Sequence, residues 1–270
     1  MGVFAHAERW HNGQGETEDM NGSGERPKGL ILGGTCELAL VLASKLIEKG
    51  FFPVLTWRDP EGRGKIDASL ANFPGHYETI RFNLGDPLSL ETLFAKDFCY
   101  NFLVDFAQGD YETLIAAADE DRIRAYFSEN VAARAILLKR VARGMLRMKR
   151  GRLIYVSSSA AERPAPGQGF YAAAKLAAET LYRSCGLELA GKGVTSVILR
   201  AGYVQAGRSR AFLEANPEII RQVPLQRALE AEEVAETILF LLSPAAVGIN
   251  ATILTLDGGL SAGKTGIMKH

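Results

Sequence analysis

Cysteine is scarce in this chain, and Cys36, Cys99 and Cys185 are too few and too scattered for a disulfide framework or a zinc site. That usage suits a reducing cytoplasm, and no metal is implied. Long apolar runs are missing too. None approaches the roughly eighteen continuous apolar residues of a membrane span, and the amino-terminal stretch lacks the apolar centre of a secretion signal. Neither charge is in excess: lysine plus arginine and aspartate plus glutamate number 31 each, so no bulk field argues for nucleic acid or a membrane surface as partner. Histidine is rare, and His6 and His11 have no acidic or Cys neighbour at ligand spacing. The start Met1-Gly2-Val3-Phe4-Ala5-His6 places His where a myristoylation signal needs Ser or Thr.

What is present is enough for one large core. The chain has 270 residues, 47% of them apolar, and a length of this order commonly forms one α/β domain. Residues 1–27 are expected to be a disordered extension, with Met20 a second candidate start. The domain is expected over 28–260, and 261–270 as a tail. Strand and helix patterns alternate throughout, which argues for a single doubly wound, mainly parallel sheet with helices on both faces.

The stretch Phe170-Tyr171-Ala172-Ala173-Ala174-Lys175 carries the clearest chemistry. It opens a helix expected over 172–189, interrupted only at Ser184-Cys185-Gly186, so that Tyr171 and Lys175 fall one turn apart on one face. A tyrosine keeps its proton to a pH of about 10, and a neighbouring ammonium favours the phenolate. Ser158 follows the apolar run 153–156, which reads as a buried strand, and its hydroxyl could hold the same substrate oxygen. Near the start, a strand over 29–32 enters Gly33-Gly34-Thr35-Cys36-Glu37-Leu38-Ala39 and a helix that stops at Gly50. This is the strand, turn and helix of a dinucleotide-binding unit, whose tight glycine turn aims helix-start N–H groups at a pyrophosphate.

The run from Gly151 to Ser158, the step from Ser158 to Tyr171, and Tyr171-Ala172-Ala173-Ala174-Lys175 together resemble the short-chain dehydrogenase/reductase family, with its bacterial 3-oxoacyl carrier-protein reductases nearest in pattern. The resemblance extends over 28–260 and implies seven strands in the order 3-2-1-4-5-6-7. It implies Tyr171 as general acid in reduction and Lys175 as the group that lowers its pKa and binds the nicotinamide ribose. Ser158 would orient the carbonyl, and Asn130, in a long helical region over 119–149, would hold a relay water at a helix kink. The nucleotide turn departs from the family pattern, with Glu37 in place of the second glycine and Ala39 in place of the third.

Cofactor contacts are implied at Gly33, Thr35, Glu37, Leu38, Asn83, Leu84, Ala107, Tyr171, Lys175, Gly202 and Val204. After the strand 52–56, Trp57 stands at the family's acidic position and Arg58 at its basic one, which favours NADP over NAD. A polar loop with Pro60, Gly62 and Gly64 is expected next, then a strand over 77–82 and a helix over 87–96. Asp105-Phe106-Ala107-Gln108 replaces the family's Asn-Asn-Ala-Gly after a strand over 101–106. Ala201 and Ala206 replace its proline and threonine beside Gly202 and Val204.

The turn-rich 163–169 is expected to wall the substrate pocket, with Gln168 and Phe170 facing the substrate. The segment 208–225 reads as a lid, in which Arg208, Arg210 and Arg221 either meet an anionic substrate or are solvated. The basic run Arg140, Arg143, Arg147, Lys149, Arg150, Arg152 is either a solvated face or a greeting to an acidic acyl carrier protein, for which Lys149 and Lys192 fall at docking positions. Gly258 to Thr265 matches the P-loop spacing by accident, since too little chain follows for the helix that a phosphate cradle needs. The expected function is hydride transfer between NADP and a small carbonyl or acyl substrate, by a homodimer or homotetramer built on the helices at 131–149 and 172–190. An enoyl reductase is disfavoured by the Tyr and Lys spacing. Glu37, Asp105, Phe106 and Ala206 keep open a non-catalytic NADP-binding or assembly protein with the same fold.

Overall fold

The computed structural model describes residues 26–94 and 99–263. The expectations for the amino-terminal extension, for the carboxyl-terminal tail and for the end of the 87–96 helix fall largely outside the described residues. Seven strands form one parallel sheet in the order β3-β2-β1-β4-β5-β6-β7. They are β1 (Lys28–Leu32), β2 (Phe52–Trp57), β3 (Glu78–Arg81), β4 (Phe102–Asp105), β5 (Gly151–Ser158), β6 (Val194–Ala201) and β7 (Thr252–Leu256). The order is the one that the resemblance implied.

The helices are α1 (Glu37–Glu48), α2 (Pro60–Ser69), α3 (Pro87–Phe94), α4 (Glu120–Phe127), α5 (Arg134–Met148), α6 (Gly169–Leu189), α7 (Gly207–Ala215) and α8 (Ala231–Leu242). Strands covered on both faces read as nearly continuous apolar runs, and alternate residues then feed two layers of core. Ile31, Ile154 and Val156 point to the layer under α1 and α8, whereas Leu30, Leu32, Leu153 and Tyr155 point to the layer under α5 and α6. Both layers end at the carboxyl edge of the sheet, where ligands of open α/β sheets bind.

Two local readings are corrected. The expected polar loop after β2 is the helix α2: Asp59 accepts the Gly62 N–H as its cap and Pro60 fits the first turn, where no N–H is needed. Helix α6 runs unbroken through Ser184-Cys185-Gly186. Gly186 is there for close packing, since a Cβ on it would lie 2.7 Å from Asn250 Oδ1, and Asn250 Nδ2 donates to its carbonyl at 2.9 Å.

The region 119–149 is helical with a break in its winding. Asp119 caps α4 by accepting the Arg122 N–H at 2.8 Å. Between α4 and α5, Ser128–Ala133 form a π-helical turn that contains Asn130. Such a turn widens the helix and frees backbone carbonyls, and it is frequent at functional sites.

Candidate active site

At the carboxyl edge, β5 ends at Ser158 and α6 brings Tyr171 and Lys175 back over it. The Ser158 backbone is extended, and its Oγ accepts the Ala160 N–H at 3.2 Å. The Ser158 hydroxyl lies near enough to the Tyr171 phenol to favour its ionised form. One turn along α6, Lys175 is 3% exposed, and its Nζ donates to Val156 O at 2.9 Å. The ammonium lies 4.8 Å from the Tyr155 ring centroid and 5.8 Å from that of Tyr171. The structure therefore groups Ser158, Tyr171 and Lys175.

The electrostatics correct one expectation. Burial pushes the Tyr171 phenol above its ordinary value; the Ser158 hydroxyl and Arg208 oppose this, while Glu112 and Asp110 add to it. Burial also lowers Lys175 to about 7, helped by Arg134 and Arg208 and opposed by Asp105 and Glu179. Within the protein alone, burial outweighs the groups that would bring the phenol down.

The sequence reading missed the group that organises this floor. Asp105 and Arg134 are both fully buried, with Arg134 Nε on Asp105 Oδ2 at 2.8 Å. Tyr182 donates to the same Oδ2 at 2.9 Å, and the Ala107 N–H donates to Oδ1 at 2.9 Å. The other guanidinium nitrogens of Arg134 donate to Asn130 O and Ala107 O. An aspartate at the end of a buried strand requires a cation, and Arg134 lies one helical turn after Asn130, so the signal was in the sequence. Asn130 is 1% exposed. Its Oδ1 accepts the Gly109 N–H at 2.8 Å and its Nδ2 donates to Tyr126 O at 2.9 Å. The Asn130 carbonyl accepts from Arg134.

A second buried network lies behind the serines. Glu179 accepts from Ser157 Oγ at 2.6 Å and from Arg200 at 2.8 and 2.7 Å. Phe170, expected to face the substrate, is 8% exposed and stacks on Tyr111 at 5.2 Å, so it builds the pocket wall from behind. Gln168 closes its own turn, its Oε1 accepting the Ala165 N–H at 3.0 Å. Arg152 leaves the basic face altogether: it donates to Ala246 O and Ser243 O, both at 3.0 Å.

At the nucleotide end, Gly33 has a φ of 69°, and a Cβ there would lie 3.0 Å from Ala107 N. Its N–H donates to Thr56 Oγ1 at 3.0 Å. Helix α1 starts at Glu37 without a side-chain cap from Cys36. Burial raises the Cys36 thiol to about 11, against the pull of the Ala39, Leu38 and Cys36 amides. A left-handed glycine and an uncapped helix start fit an anionic dinucleotide. Thr35 packs on Gly62, and Leu38 packs on the core below.

Glu37 points across the site and pairs with Arg210 at 2.6 Å. Arg58 is exposed, and its guanidinium makes no ion pair among the described residues. Asn83 closes its own turn, its Oδ1 accepting the Gly85 N–H at 3.2 Å, with Leu84 half-buried beside it. The Gly202 N–H donates to Leu256 O at 2.9 Å, and Val204, buried, pairs with Leu229. The lid arginines Arg208 and Arg210 are paired, Arg208 with Asp110 at 2.8 Å.

The chain resembles known proteins. The family model described as Enoyl-(Acyl carrier protein) reductase matches residues 37–261. The chain belongs to the short-chain dehydrogenase/reductase family. The 3-oxoacyl-[acyl-carrier-protein] reductase FabG of Haemophilus influenzae is 28% identical over 236 residues, 86% of this chain and 96% of that one. Its counterpart in Escherichia coli is 27% identical over 237 residues, again 86% and 96%. A solved short chain dehydrogenase/reductase family protein superposes with a TM-score of 0.79 at 27% identity, covering 87% of this chain and 97% of that one. The chain is thus an NAD(P)-dependent oxidoreductase of the short-chain type. Among the described residues no helix is long and apolar enough to cross a membrane.

Proposed function

We propose that this short-chain enzyme uses NADP to interconvert a carbonyl and a secondary alcohol, with a 3-oxoacyl thioester as the substrate class. The observation that carries the chemistry is the grouping of Ser158 and Tyr171 with a buried Lys175, whose Nζ is fixed on Val156 O and lies 5.8 Å from the Tyr171 ring centroid. In reduction, the substrate oxygen lies between the Ser158 and Tyr171 hydroxyls, and Tyr171 gives it a proton as charge develops there. Lys175 lies beneath, where its ammonium can restore that proton and hold a ribose hydroxyl. The nicotinamide supplies the hydride. Gly33, Thr35, Leu38, Asn83, Leu84, Ala107, Gly202 and Val204 would line the dinucleotide along its length, with Gly33 at the pyrophosphate, Asn83 and Leu84 at the adenine, and Gly202 and Val204 at the nicotinamide. Asn130 positions the wall by fixing Gly109 and the π-helical turn.

NADP rather than NAD is proposed because Arg58 stands exposed at the end of β2, where a guanidinium can meet a 2′-phosphate with paired hydrogen bonds. The thioester class rests on the names of the curated relatives and on exposed Lys149 and Lys192, which could receive an acidic carrier. A homodimer or homotetramer is proposed through α5 and α6, which expose Ile136 and Leu176. The departures that favoured a binding protein have partners here: Glu37 has Arg210, and Asp105 has Arg134.

The test is NADPH oxidation by the purified chain against a panel of simple ketones and of 3-oxoacyl thioesters on pantetheine and on carrier protein. Turnover fastest with the thioesters is expected. Turnover confined to simple ketones would remove the substrate class, and no oxidation with any carbonyl would remove the reading.

A further inference from the structure

Glu37 occupies a glycine position of the family and does something that no glycine could. Its Oε1 accepts Arg210 Nη2 at 2.6 Å and its Oε2 accepts the Gly207 N–H at 3.2 Å. Glu37 is the first residue of α1, Gly207 is the first of α7, and Arg210 lies one turn into α7. One carboxylate therefore joins the nucleotide turn to the helix that follows β6. The same α7 is tied on its other side by Arg208 to Asp110, in the loop after β4. Arg210 holds its aim through a second bond, to Gln205 O at 2.7 Å.

A guanidinium and a helix-start amide that converge on one anion make an anion site, and here the chain fills it with its own carboxylate. That carboxylate grows from the turn where a diphosphate would arrive. The two anions cannot share the space without repulsion, and the doubly charged diphosphate, with more acceptor oxygens, is the better partner for a guanidinium. We propose that Arg210 is a cofactor-binding residue held in reserve by Glu37: a dinucleotide entering the turn takes Arg210 from Glu37, and α7 follows it over the site. Glu37 then sets the affinity by competing for Arg210, and lid closure is coupled to the presence of a diphosphate. The inference rests on the reading that this turn binds NAD(P).

Both side chains are well exposed, 45% for Arg210 and 38% for Glu37, so substitutions there leave the core intact. The experiment is fluorescence titration of NADPH, and calorimetric titration of ADP-ribose, into the full chain, into Glu37→Gln and into Arg210→Ala. Glu37→Gln is expected to tighten both ligands by about tenfold and Arg210→Ala to weaken both by about tenfold, as for one charge-assisted hydrogen bond gained or lost. If the pair merely braces the lid, the two variants move in the same direction, which overturns the inference, as does the absence of any change. A parent chain that binds neither ligand would instead overturn the cofactor reading beneath it.

Discussion

The two ends of the site hold their charges in different ways. At the chemical end, Asp105, Arg134, Lys175 and Glu179 are all buried; Asp105, Arg134 and Glu179 are each fixed by several hydrogen bonds, and Lys175 by its bond to Val156 O. At the nucleotide end, Arg58 is exposed and the Glu37–Arg210 and Arg208–Asp110 pairs are open to water. Low dielectric makes the first set strong and unforgiving, whereas solvent weakens the second and lets its partners exchange. A proton-transfer site needs fixed geometry, and a site that must admit and release a dinucleotide needs contacts that can be remade.

Four substitutions sharpen this contrast. The largest effect is expected for Tyr171→Phe, which keeps the ring packed and removes the transferable proton. Turnover should fall by about a thousandfold, with NADPH affinity within about twofold of the parent. Steady-state kinetics beside a binding titration checks both, and equal turnover would remove Tyr171 from the mechanism.

Next comes Arg134→Leu, which leaves the Asp105 carboxylate buried without its cation and should lower unfolding stability by about 3–5 kcal/mol. Urea denaturation measures it. The double change Asp105→Asn with Arg134→Leu should recover most of the loss, because no buried charge then lacks a partner. A double variant as unstable as the single one would show that the pair is not the source.

Third, Arg58→Ala should cost about 1.5–3 kcal/mol in NADPH affinity, or one to two decades, and little in NADH affinity. Parallel titrations decide it, and equal loss of both nucleotides would mean that Arg58 does not read the phosphate.

The smallest effect concerns Lys175. Its folded pKa of about 7 lies below the unfolded value of 10.5, so the unfolded chain holds the extra proton between these values. The penalty of burying the ammonium is fully present below pH 7 and is relieved as pH rises toward 10.5. Lys175→Met should therefore be more stable than the parent near pH 6, and the advantage should vanish by about pH 10. The net gain is on the order of 1 kcal/mol, because Val156 O loses its donor at the same time. Thermal melts at the two pH values test it, and an advantage that grows with pH would contradict the burial argument.

The Ser158, Tyr171 and Lys175 grouping was legible because it follows from fixed spacings, and the sheet order because the family resemblance implied it. Boundaries slipped where a cap decides them: Asp59-Pro60 starts α2, yet Gly62 and Gly64 made the stretch read as a loop. Arg134 was hidden for another reason. Asp105 calls for a cation, but only the fold shows that Arg134, distant in the chain, is the one that supplies it. Glu37 was seen as a defect in the glycine turn because its partner, Arg210, lies far along the chain and comes near only through the fold. Local chemistry reads well from sequence; long-range charge pairing does not.

The contrast between the two ends is tested most directly by salt. The Kd for NADPH and the kcat at saturating NADPH and substrate would be measured on the parent chain at about 0.05 M and about 0.5 M salt. The account predicts that Kd rises by about tenfold or more, since exposed charges are screened, while kcat stays within about twofold, since the charges around Lys175 are buried. A kcat that falls in step with binding, or a Kd that ignores salt, would contradict it.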